Sequence, residues 1–129
     1  SPLPQPLPDC SGLYRRYLSL GLSDVVLGFA GRKPENDPLH ACLDRLEYGQ
    51  GLQLQSIGSG WELRLVEENI VVGRLSGKCT LPATRNIEVR VECIIRRYHH
   101  QSKSEYADGD KVDHWYVVVP MLAWTDEVP

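Results

Sequence analysis

The stretch Gly51-Leu-Gln-Leu-Gln-Ser-Ile-Gly-Ser-Gly-Trp-Glu-Leu-Arg-Leu-Val-Glu-Glu-Asn-Ile-Val-Val-Gly-Arg-Leu75 decides how the rest of the chain is read. Leu52 and Leu54 alternate with Gln53 and Gln55, a period of two. Gly58-Ser59-Gly60 follows as a turn, and Trp61, Leu63 and Leu65 then alternate with Glu62 and Arg64. Glu67-Glu68-Asn69 is a second turn, and Ile70 to Leu75 is a third apolar run, broken by Gly73. Alternation at this spacing, punctuated by turn residues, is the pattern of half-buried antiparallel strands joined as a meander.

Upstream the period changes. Asp37-Pro38 is a helix start, because Asp37 caps free amides and Pro38 suits the first helical position. Leu39, Cys42, Leu43 and Leu46 then fall on one helical face, and Gly49 is a natural stop. The pattern predicts a helix from about Asp37 to Glu47, about three turns long. Between Leu18 and Ala30 the chain is apolar with polar interruptions, and Asp24 to Phe29 is the best strand candidate there.

Downstream, Ile87 to Arg97 predicts a longer strand, with Ile87, Val89, Val91, Cys93 and Ile95 on one face. His99 to Lys111 is polar and turn-rich, an excursion loop. Val112 to Val119 is a last strand, closed by Pro120. The expected fold is mainly β (all-β or α+β). It is a small, partly open barrel of five or six mostly antiparallel strands with one covering helix.

The chain has 129 residues, 42% hydrophobic and 24% charged, which fits one globular domain. No apolar run approaches the ~18 residues that span a bilayer. Residues 1–9 hold four prolines and read as an extended linker, leaving residues 10–129 as the single domain. The linker points to a domain joined to a longer chain, or to a native disordered terminus. Its residues lack the basic and apolar regions of a signal peptide. Cys10, Cys42, Cys79 and Cys93 form no CxxC pair, which excludes a zinc ribbon or a thioredoxin motif. Cys42 and Cys93 sit in apolar patterns and read as buried free thiols; two disulfides are the arithmetic alternative.

Catalytic signatures are sparse. No GxSxG elbow, GxxxxGK[ST] loop or GxGxxG loop is present, and no metal site is expected. His99, His100 and Asp113 would make a small hydrolase only if they converged in a pocket.

Charge is more informative. The net charge is -3, from 14 basic and 17 acidic residues. From Ile70 to Arg97, six basic residues face two acidic ones, a balance of +4. From Tyr98 to Pro129, two basic residues face six acidic ones, a balance of -4. An acidic protein can therefore carry a basic strand face. Arg96, Arg97, Tyr98, His99 and His100 combine cations with stackable rings, as single-strand binders do. Arg74, Lys78, Arg96 and Arg97 are the candidate phosphate contacts, and Tyr98 and His99 the candidate stacking residues. The plainer reading is a solvated strand, with Arg90 and Arg96 paired to Glu88 and Glu92. Trp115 reads as core, Trp61 as exposed, and Trp124 as a cap or a contact to a neighbouring domain.

Several phrases then stand together. They are Val25-Val26-Leu27-Gly28-Phe29-Ala30-Gly31-Arg32, Asp37-Pro38-Leu39-His40-Ala41 and Gly51-Leu52-Gln53-Leu54. Trp61-Glu62-Leu63, Val72-Gly73-Arg74-Leu75-Ser76 and His114-Trp115-Tyr116-Val117-Val118-Val119-Pro120 complete the set. In this order they resemble the extreme C-terminal domain of long bacterial RecQ-type DNA helicases, over roughly Leu22 to Trp124. Gly51 to Ser76 is also similar to HIRAN domains, small barrels appended to DNA-remodelling helicases. In those domains the P-x-N-x-x-D element follows the L-x-L strand. Here its nearest match, Pro34-Glu35-Asn36-Asp37-Pro38, precedes it, so no ligand residue is carried over.

The helicase resemblance implies an accessory nucleic-acid-binding domain of an ATP-dependent DNA helicase in a bacterial cytoplasm. ATP and Mg would belong to a motor domain outside these residues, linked in cis, and this fragment alone would have no activity. The partner would be single-stranded or forked DNA, held weakly near the motor. The rival expectation, from the acidic C-terminal part, is a protein-interaction or interdomain docking module without DNA contact.

Overall fold

The structure is a computed structural model that describes residues 13–58, 60–84, 86–103 and 107–127. The proposed linker over residues 1–9, Cys10, Arg85 and Glu105 lie outside the described residues. Six strands form one sheet: β1 (Leu13–Ser19), β2 (Gly51–Ile57), β3 (Gly60–Leu65), β4 (Ile70–Arg74), β5 (Glu88–Tyr98) and β6 (His114–Glu127). The order is β1-β6-β5-β2-β3-β4, and every pairing is antiparallel. The sheet is not closed. It curls enough that β4 approaches β6, and one helix, α1 (Pro38–Arg45), packs on both strands. This is the small, partly open, barrel-like β fold that the alternation predicts.

The meander forms as its pattern requires. Leu52, Leu63 and Leu65 are buried, and Leu54 packs against the core. Gly58 at the first turn has φ of +53°, and Asn69 at the second has φ of 52°. A side chain that tolerates left-handed backbone suits both places. The α1 start is also as read: Asp37 Oδ1 accepts from the Leu39 amide at 2.9 Å. The helix is shorter than three turns, ending at Arg45. Leu46 is already extended and buried, and the Gly49 amide donates to the Val91 carbonyl at 2.7 Å. The pull of β5 on Gly49 therefore ends the helix before its pattern does.

Three expectations are corrected. Asp24 to Phe29 is not a strand; it contains one bridge, Val25 to Leu75, between two short 3-10 turns at Leu22–Asp24 and Ala30–Arg32. Val26 donates to the Arg74 carbonyl and Ser76 to the Asp24 carbonyl, both at 2.8 Å. These two bonds fasten the segment along the edge of β4 for about one residue pair only. The sixth strand is instead β1.

Secondly, Pro120 does not close the last strand, which continues to Glu127. Pro120 faces Val91, whose amide and carbonyl both bond to the Gly49–Gln50 backbone instead. No bond is asked of the proline toward β5, so its missing N–H costs nothing there.

Thirdly, the faces of β5 change partway. Val91 pairs with Pro120 and Cys93 with Val119, so Glu92 is the extra residue of a bulge. Val89 and Val91 share their face with Ile94, Arg96 and Tyr98. Cys93 and Ile95 join Arg97 on the opposite face, not the face of Val89. This switch decides which face each residue at the C-terminal end of β5 presents.

The core gathers Leu39, Leu43, Leu63, Val72, Val89, Val118 and Leu122 among its most buried members. Trp115 is buried as read, at 2% exposure, and its Nε1 donates to the Leu27 carbonyl at 2.7 Å. Trp61 is exposed, and Trp124 packs half-buried on the core. Cys42, Cys79 and Cys93 are free thiols; Cys42 is buried and Cys93 only half-buried.

Burial, and then a hydrogen bond from Cys42 Sγ to Glu68 Oε2 at 3.2 Å, push the Cys42 thiol up from 9.0 to about 11. The unfolded chain therefore ionises this thiol first as pH rises. Its contribution is fully present below pH 9 and is lost between 9.0 and about 11. We expect a loss on the order of 2 kcal/mol over that window. Urea denaturation at about pH 8 and about pH 10.5, on wild type and Cys42→Ala, measures it. An equal alkaline loss in both proteins contradicts the assignment.

Candidate nucleic-acid interface

The period-two backbone of β5 separates residues that look like one basic patch in sequence. Arg96 and Tyr98 lie on one face of β5, and Arg97 lies on the other. Each face opens onto its own hollow.

On the Arg97 face is a groove of about 490 Å3. Arg32, Lys78, Arg97 and Lys103 line it, with Asp110 as the one carboxylate among the described lining residues. Leu22 supplies exposed apolar surface to the same groove, whose floor rests on the buried Val25 and Trp115. Lys78 is exposed, and Arg97 is half-buried, with its Nη2 donating to the Gln101 carbonyl at 3.0 Å. That bond uses one guanidinium donor and leaves others for a ligand.

On the Arg96 face is a hollow of about 550 Å3. Glu35, Asp44 and Asp113 line it, against Arg96 and Lys111. Three carboxylates make it the poorer host for a phosphate, despite its larger volume. Arg96 is held by rings: its Cζ lies 5.7 Å from the Tyr98 centroid and 5.8 Å from that of Tyr116. Tyr98, 39% exposed, stacks on His100 at 5.5 Å with an interplanar angle of 24°. His114 sits against Tyr98 at 6.1 Å, tilted by 47°.

His99, read from sequence as a stacking residue, is engaged elsewhere. Its Nδ1 is 3.0 Å from Asp110 Oδ2, and Ser102 Oγ donates to that same oxygen at 2.6 Å. A carboxylate accepts only, so Nδ1 carries the hydrogen in this pair. The His99 amide donates to the Asp113 carbonyl at 2.7 Å. His99 thus fastens the 99–113 loop back onto the sheet, and the ring that joins Tyr98 is His100.

This arrangement is not a nucleophile with its base. Ser102 and His99 both bond to the carboxylate, so no imidazole stands ready to take the serine proton. His99, His100 and Asp113 do not converge in one pocket: His100 is on Tyr98, and Asp113 lines the Arg96-side hollow. Among the described residues, no group of three or more His, Cys, Asp or Glu side chains could hold a metal ion. None of the helices there is long and apolar enough to cross a membrane.

Arg74 stands apart from both hollows. It is exposed at the end of β4, and a Cβ on Gly60 would lie 3.5 Å from its Nη2. Arg90, the other cation of the basic segment on β5, pairs with Glu88 at 2.5 Å. Arg15 bonds to Glu88 as well. Hydrogen bonds from Arg90 and from Arg15 hold the Glu88 carboxyl below the usual range. Arg90 is therefore neutralised, as the plainer reading expects. Arg96 makes ring contacts instead of pairing with Glu92, whose Oε1 accepts from Ser19 Oγ at 2.9 Å.

Two cations of the groove were invisible to segment charge. Arg32 lies 65 positions before Arg97, and Lys103 sits in a loop whose balance is acidic. Only the return of the 25–32 segment across β6 brings Arg32 in, where the Lys111 amide donates to the Gly31 carbonyl at 2.7 Å. No protein-family model, no curated protein and no solved structure matches this chain.

Proposed function

We propose that this domain holds nucleic acid weakly through the groove formed by Arg32, Lys78, Arg97 and Lys103, as an accessory to a DNA helicase motor. The observation that carries the reading is that, among the described lining residues, four cations surround one carboxylate already engaged by His99 and Ser102. Phosphates are bound through such cations, and the exposed apolar surface of Leu22 suits the sugar–base part of a nucleotide. The helicase context rests on the sequence resemblance alone. In it, ATP and Mg belong to the motor, and the role of this domain is to raise the local concentration of DNA.

The test is fluorescence anisotropy of labelled DNA at about 50 and 200 mM salt. Wild type is expected to bind in the micromolar range and to weaken as salt rises. The Lys78→Ala/Arg97→Ala double variant is expected to lose roughly tenfold in affinity. Its slope of log affinity against log salt should fall by about 1.5 in magnitude. Arg74→Ala should change neither quantity. Absence of binding at tens of micromolar protein, or an unchanged salt slope in the double variant, overturns the reading in favour of a docking module.

A further inference from the structure

We infer that the nucleic acid this domain takes is unpaired, with a base added to the Tyr98–His100 stack while the backbone phosphates lie in the Arg97 groove. This rests on the groove reading above and adds to it the state of the strand.

The geometry carries the argument in three steps. First, Arg97 and Tyr98 are consecutive, and strand alternation sends their side chains to opposite faces. Groove and ring stack are therefore separated by the thickness of one strand. Second, the pairing of β2 with β5 reaches only Val89 and Arg90. Beyond the bulge, among the described strands, β5 has β6 alone as its neighbour. The two faces thus meet at the end of β5 over an edge with no further strand beside it among the described residues. Third, the chain turns immediately there, through the 3-10 turn His99–Gln101, and lays the exposed His100 ring on Tyr98.

The result is a pair of near-parallel rings, with Arg96 and His114 against the same tyrosine. Neither ring of the pair sits in the core. A stack built at the surface adds a further flat π-face with little reorganisation, because its members are already ordered. Unpaired nucleotides offer such a face next to each phosphate, whereas a duplex hides its base faces in its own stack. A groove for phosphates beside a ring pair therefore fits a single strand better than a duplex. His100, not His99, is the histidine that acts.

The experiment uses three probes of equal length, about twelve nucleotides: oligothymidylate, an abasic strand with the same phosphates, and a duplex. Wild type should bind oligothymidylate about tenfold more tightly than the abasic strand, and more tightly than the duplex at matched salt. Tyr98→Ala should lose about tenfold on oligothymidylate and nothing on the abasic strand, while Tyr98→Phe keeps the wild-type affinity. The wild-type comparison of oligothymidylate with abasic strand needs no variant, so a Tyr98→Ala chain that misfolds does not block the test. Equal affinity for these two strands, or preference for the duplex, overturns the inference while leaving the groove reading in place. Binding to none of the three probes, or binding without salt dependence, overturns the groove reading itself.

Discussion

Replacing Gly31 by alanine is expected to destabilise the domain by about 3 kcal/mol and to lower its melting temperature by about 10 °C. A Cβ at this position would lie 2.7 Å from Trp115 Cε2 and 2.8 Å from Cδ2 and Cζ2. The peptide rests directly on the face of the indole. Relief would need one side to move, and both are fixed. Trp115 is 2% exposed and bonded to the Leu27 carbonyl, and the Gly31 carbonyl accepts from Lys111. Close packing of this kind has no slack for a methyl group.

Thermal denaturation followed by circular dichroism measures the cost. The Trp115→Phe variant separates the steric cause from others. It frees space but loses the bond to Leu27, so alone it too destabilises. Added to Gly31→Ala, it should cost less than the two single changes summed, a coupling of about 1 kcal/mol or more. A Gly31→Ala protein within about 0.5 kcal/mol of wild type would show that the 25–32 segment yields easily. The groove depends on this contact, since the same segment delivers Arg32 and Leu27 to it.

What the sequence made legible follows from the range of each interaction. The meander and the α1 start depend on neighbours within a few positions, and periodicity and capping report those directly. Trp115 was readable as core because the run around it is apolar. β1 was not readable. Its Arg15-Arg16 pair breaks any alternation, and its partner β6 lies about a hundred positions away. It is an edge strand whose order comes from that pairing. Asp24 to Phe29 is the opposite case: Val25, Leu27 and Phe29 are apolar because they pack on the core, not because they form a ladder. The Glu92 bulge left no sequence mark, because Val91-Glu92-Cys93 alternates without fault.

That bulge also explains why the candidate site was only half legible. Residue types were enough to single out Arg97, Tyr98 and Lys78. The face to which each belongs depends on a register shift and on the loop that returns to β5. Arg96 and Arg97 looked like one cationic patch and stand on opposite faces. His99 and His100 looked interchangeable, and a single buried carboxylate, Asp110, distinguishes them. A carboxylate 11 positions away in a loop is not a partner that spacing can identify.

Asp110 is therefore the position where stability and binding should move in opposite directions. Its side chain is 3% exposed, and Oδ2 takes both the His99 and the Ser102 bond. It is also the one negative charge among the described residues that line the groove. Asp110→Asn keeps the shape and can still accept from Ser102, but it gives up the charge that strengthens the bond to His99. A cost of about 1–2 kcal/mol is expected. Asp110→Ala leaves His99 and Ser102 without their acceptor and should cost about 2–3 kcal/mol. For a bound polyanion the sign reverses. Removing a carboxylate among Arg32, Lys78, Arg97 and Lys103 should tighten DNA binding by Asp110→Asn about threefold at 50 mM salt. The gain should shrink at 200 mM salt, where charges are better screened. Urea denaturation and anisotropy on the same protein measure both quantities. Weaker DNA binding by Asp110→Asn, in step with its lower stability, would refute this. It would mean that the carboxylate serves the groove chiefly by holding the loop that carries Lys103, and that its charge has little weight there. Tighter binding by a less stable protein would place the phosphates within reach of Asp110, on the Arg97 face of β5 and away from the Arg96-side hollow.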